Sequence, residues 1–168
     1  MEIIVGIFTG APIWIWPLLL LLVLLGLHAS RTRELLILPY FAMPLIALTN
    51  VPTLLAQSQP ERAFLAWGLA YACGALVGFS LQGRWILWRR GLRAKVTGEW
   101  LSLALMMLLF WANFANGLLD ALAPEVTALA AYGIGFPALL GLASGTFLGR
   151  PLRIVLWRSQ TNAPLPNS

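Results

Sequence analysis

Apolar residues run along this chain in long unbroken blocks. They show neither the alternation of a half-buried strand nor the single stripe of a soluble amphipathic helix. An α-helix needs about 20 mostly apolar residues to cross the hydrocarbon core of a bilayer. Five windows are of that order: residues 12–29, 35–56, 62–82, 100–119 and 126–149. Barrel strands would alternate apolar and polar positions, and these windows do not. The pattern therefore predicts an all-α integral membrane fold, a bundle of five transmembrane helices. It forms one domain over residues 1–158, followed by a polar tail, 159–168. Met1 to Thr9 is apolar but too short to span. Gly10, Pro12 and Pro17 predict a bend where it meets the first helix.

The polar breaks between windows carry the direction of threading. All basic residues except Arg62 fall in three tracts: Arg31 and Arg33; Arg84, Arg89, Arg90, Arg93 and Lys95; and Arg150, Arg153 and Arg158. The alternate breaks hold Glu61, Asp120 and Glu125 instead. Five crossings would put the three basic tracts on one side, which the positive-inside rule makes cytoplasmic. The N-terminus is then outside and the C-terminus inside. Trp85, Trp88, Trp100 and Trp157 flank the basic tracts, and Trp14 and Trp16 sit near the other end of the first window. Indole rings favour both interfacial depths. Glu2 stands where a signal peptide would carry a basic residue, so the first window reads as a retained span.

The longest polar break, Arg84 to Gly98, holds two short extended pieces, Trp85 to Trp88 and Leu92 to Val96, around Arg-Arg-Gly. It predicts a short basic hairpin on the cytoplasmic surface between the third and fourth helices. Arg84, Arg89, Arg90, Arg93 and Lys95 are candidate contacts to anionic headgroups, each worth about 1 kcal/mol near the surface.

Composition narrows the function classes. Hydrophobic residues make up 60% of the 168 and charged ones 10%, against about 25% charged in soluble domains. The basic pI of about 10.4 follows from span-flanking residues, so no nucleic-acid partner is expected. Cys73 is the only cysteine and His28 the only histidine. An internal disulfide, a bis-histidine haem and a histidine metal cluster are thereby excluded within one chain. Neither a phosphate loop nor a nucleophile motif occurs. No cofactor, metal or catalytic residue is expected. His28 beside Arg31 and Arg33 could touch a lipid phosphate, which keeps a lipid-handling enzyme as one alternative.

Inside the bilayer, small residues allow close packing and polar residues point to function. Gly141, Gly145 and Gly149 form one ridge, and Gly74 and Gly78 another. They suit packing within the bundle or a homodimer seam. Pro39, Pro44 and Pro52 predict a bent second helix. Asn113, Asn116 and Asp120 share a face of the fourth helix. With Asn50, Thr53 and Tyr71 they could line a polar cavity in the outer half, a path for a small solute or ion. The same groups could instead bond across helices.

Three segments carry a resemblance: Pro12-Ile13-Trp14 with Gly26 before Arg31 and Arg33; Val96-Thr97-Gly98-Glu99-Trp100-Leu101; and Ser144-Gly145-Thr146-Phe147-Leu148-Gly149-Arg150 with Leu152-Arg153. In these the chain resembles a family of small bacterial inner-membrane proteins whose domain has no assigned function. Thr97 stands where that family usually has proline. The resemblance implies a multi-pass protein of the bacterial inner membrane and implies no activity. The function expected is a non-enzymatic accessory or binding module, with a small transporter or channel as the alternative.

Overall fold

The computed structural model describes residue 13 and residues 15–37 and 43–157. Expectations for Met1 to Thr9, Gly10, Pro12, Trp14, Pro39, Arg158 and the tail lie outside the described residues. The chain is mostly helical. In order it forms α1 (Ile15–Ala29), β1 (Arg33–Leu36), a 3-10 helix (Met43–Asn50), α2 (Val51–Leu55) and α3 (Pro60–Gln82). Then come β2 (Ile86–Arg90), β3 (Arg93–Val96), α4 (Leu101–Leu122), α5 (Pro124–Thr127) and α6 (Ala130–Leu156). Among the described residues, α3, α4 and α6 are long and apolar enough to cross a membrane.

The second predicted helix, 35–56, is not one helix. Its start is strand β1, and its end is a 3-10 helix running into the short α2. Proline explains the restart. Pro52 falls in the first turn of α2, where its missing N–H costs nothing; further into an α-helix it would remove a bond and clash. The fifth predicted helix also differs. It is split into α5 and α6, and α6 runs on to Leu156, past the expected end at 149.

The organising contact is between α3 and α6. A Cβ at Gly141 would overlap the carbonyl of Trp67, one at Gly145 that of Tyr71, and one at Gly149 that of Ala75. In return, Gly74 lies on the Leu142 carbonyl and Gly78 on that of Thr146. Both sets advance together in sequence, so α3 and α6 run parallel. Contacts four residues apart on both helices are ridge-into-groove packing of the i±4 rows. Approach this close brings Cα–H groups onto carbonyl oxygens, a recurring weak bond at helix interfaces. The two glycine ridges thus face each other inside one chain, and any seam between two copies has to use other residues.

The predicted hairpin forms, with a third strand added. β2 and β3 pair antiparallel, with Arg90 opposite Arg93. Gly91 in the two-residue loop has φ 56°, the left-handed first position of a type II′ turn. β1 pairs antiparallel with β3, Arg33 opposite Val96, giving the order β1-β3-β2. Ile37, Ile86, Ala94 and Val96 pack on Ile154 near the end of α6, with Trp157 against them. The described residues of the three basic tracts are therefore gathered at one end of the molecule.

Gly145→Leu should destabilise the chain by about 1–3 kcal/mol or more, since backbone cannot yield as a side chain does. Gly117→Ala, where nothing lies within 4 Å of the added carbon, should lower stability little if at all. Reversible unfolding of both variants in the same micelles checks this. Equal costs would contradict the packing.

Candidate functional site

Among the described residues, the largest fully buried side chain is charged: Arg150, 2% exposed. It is carried into the basic end of the bundle because Gly149 lies against α3. Nε donates to Oε1 of Gln82 at 2.8 Å, and Nη1 donates to Oγ of Ser102 at 2.7 Å. Nη2 forms a salt bridge with Oε1 of Glu99. The Ser102 hydroxyl donates in turn to the same Glu99 oxygen at 2.7 Å. Gln82 ends α3, Ser102 opens α4, and Arg150 lies on α6. One guanidinium thus ties three helices together. Its fixed fork of five donors suits it to this, where lysine would present a single point.

Glu99 is 6% exposed and lies two residues before α4, where a helix's N-terminal dipole favours an anion. Its backbone N–H donates to the Ala29 carbonyl at 3.2 Å. Gly98 is glycine by necessity: a Cβ there would overlap the carbonyl of Ser30. The segment before α4 is thereby clamped on the end of α1, and this aims the carboxylate inward. Oε2 of Glu99 is buried without a hydrogen-bond partner among the described residues, leaving one acceptor to spare. Taking two charges out of water is offset only when the partners are close and their remaining hydrogen bonds met. Gln82 and Ser102 supply most of that here.

The predicted cavity residues fall into separate groups. Asn50 is buried and donates from Nδ2 to Oγ of Ser144 at 3.2 Å, joining the 3-10 helix to α6. Thr53 is half-buried on α2. Tyr71 is half-buried on α3, its ring 5.0 Å from that of Trp67. On the other side, Asn116 donates to Asp120 at 3.0 Å and accepts from the Tyr132 hydroxyl at 2.8 Å. That chain links α4 to the start of α6. Asn113 is exposed, and its amide donates to the Leu109 carbonyl of its own helix at 2.8 Å. No hydrogen bond joins the two groups among the described residues.

The predicted headgroup contacts also divide. Arg84 and Arg93 are exposed and Lys95 half-buried. Arg90 closes the hairpin opposite Arg93. Arg89 is engaged by the protein: Nη1 donates to the carbonyls of Ile154 at 3.2 Å, of Val155, and of Trp157 at 3.5 Å. A cation at a helix C-terminus satisfies carbonyls that have no partner in the helix. His28 is exposed in the last turn of α1. Among the described residues, no group of three or more His, Cys, Asp or Glu could hold a metal ion.

Scanned against models of protein families, and searched against curated proteins and solved structures, the chain matches none of them. What can be said of its site comes from the geometry alone. Sequence reasoning missed Gln82, Glu99, Ser102 and Arg150 as a set, because they are brought together across 48 to 68 residues of chain. One signal was there to use: Glu99 is a lone acid between the longest basic tract and an apolar block.

Arg150→Leu should cost about 3–5 kcal/mol, because it strands a buried carboxylate. Glu99→Leu should cost a similar amount, and the double substitution much less than the sum. A double-mutant cycle on reversible unfolding measures this; additive costs would rule the pairing out.

Proposed function

We propose that this chain is a multi-pass protein of a bacterial inner membrane that acts as a non-enzymatic accessory or binding module. On this reading it crosses five times, with the N-terminus periplasmic and the basic end on the cytoplasmic side against anionic headgroups. The observation that carries it is how the intramembrane polar groups are used. Asn50 is bonded to Ser144, Asn116 to Tyr132 and Asp120, and Arg150 to Glu99. Groups consumed in this way hold helices together and line no route between α3 and α6, whose backbones touch. The parallel course of α3 and α6, with α4 between them in sequence, supports an even number of crossings, two, between the second and third basic tracts, so that both lie on one side. The likeness to small bacterial membrane proteins adds the choice of membrane. Two of the segments that carry it meet in the Glu99–Arg150 pair.

A small-solute or ion path is the second reading, favoured by the exposed Asn113 on α4. Liposomes containing the protein should pass protons and potassium no faster than protein-free liposomes. Flux well above that background which falls in Asn113→Leu/Asn116→Leu would overturn the accessory reading in favour of a path. Reporter fusions at the two ends should place the C-terminus in the cytoplasm and the N-terminus outside. Both ends on one side would refute five crossings.

A further inference from the structure

Two arginines reach the carboxyl end of α6, and only one of them is used there. A cation in a helix's last turn ordinarily lies over the free carbonyls. Arg153 occupies that turn, but those carbonyls are already taken by Arg89 from β2. Arg153 turns across α3 instead. Its guanidinium carbon lies 4.8 Å from the Phe79 ring centre and 5.8 Å from that of Trp157. Gly83 leaves the room: a Cβ there would stand 3.1 Å from Nε and 3.2 Å from Nη2.

Aromatic rings hold a cation in place but leave its N–H donors largely unsatisfied. Nε of Arg153 is buried and without an acceptor among the described residues. The side chain as a whole is half-buried, so part of the guanidinium remains accessible. Among the described residues, no acid forms an ion pair with it. Among the described residues, the acids at this end are Glu34 and Glu99. Glu99 is held by Arg150 and Ser102, and Glu34 is the cross-strand partner of Lys95. An acceptor from outside the described residues is needed to complete the bonding of Arg153. A rigid, pre-placed guanidinium fork matches a phosphate group.

We propose that Arg153, held by Phe79 and Trp157 over Gly83, is the seat of a phosphate-binding site that takes the headgroup of an anionic phospholipid. The source of the phosphate as lipid rests on the reading that the basic end lies at a membrane surface. The site is separate from the exposed arginines of the hairpin.

The test uses the full chain, delipidated in detergent. It is titrated with short-chain phosphatidylglycerol and, separately, with inorganic phosphate at constant ionic strength, following the melting temperature. Phosphatidylglycerol should stabilise the wild type. Arg153→Gln should weaken that response about tenfold, as expected for loss of a charge-assisted pair. Arg84→Gln, in the neighbouring turn, should leave it nearly intact. Arg153→Lys, which keeps the charge but not the fork, should fall between and carries the test if the glutamine variant does not fold. An Arg153-dependent response to inorganic phosphate as well would support the same site with a free-phosphate source. Equal responses of wild type and Arg153 variants, or no wild-type response to either probe, would overturn the site. Binding in detergent does not depend on leaflet, so a reversed topology would refute the orientation and leave the site standing.

Discussion

Everything in this molecule hangs on the backbone-to-backbone contact of α3 with α6. In a bilayer, water does not press helices together, so close packing has to supply the attraction. Five glycines remove the side chains that would hold the two helices apart. The register they set is what brings Arg150 to Gln82 and lays Arg153 over Gly83. A shift of one residue along either helix would turn both arginines away from their partners, because side chains rotate about 100° per residue.

The second constraint is the treatment of charge. Arg150 is drawn in and tied to Glu99, Ser102 and Gln82, and Arg89 is bound to the end of α6. The sheet serves the same end of the molecule. A two-stranded hairpin alone is marginal in water; β1 adds a third strand, and the Ile37, Ile86 and Val96 side chains cover the last turns of α6. The outcome is a basic face whose cations have unequal roles: Arg89 caps α6, Arg150 locks the bundle, and Arg153 is left open.

Local pattern made much of this legible. The third and fourth apolar windows match α3 and α4 to within a few residues, because long apolar runs leave little choice. The hairpin could be read from Arg-Arg-Gly between two extended pieces. What escaped was non-local. β1 reads as the start of an apolar helix, and only pairing with β3, some 60 residues on, makes Arg33–Leu36 a strand. The prolines signalled a disturbance in the second window without saying that α-helix would give way to a 3-10 turn. Arg150 counted as one more flanking charge, since nothing near it in sequence reveals Glu99. Asn50 and Asn113 looked alike in sequence, yet one is buried against Ser144 and the other is exposed.

The intrachain α3–α6 contact can be tested most directly by chemical bridging. With Cys73 replaced by serine, cysteines are placed at Ala75 and Leu148, both half-buried beside the Gly149 contact. The chain is reconstituted in nanodiscs at one copy per disc and treated with a short bifunctional thiol reagent. Efficient bridging within a single chain is expected. Failure to bridge there, with dimers bridged once two copies share a disc, would show that the glycine ridges join separate chains and would contradict the intrachain contact.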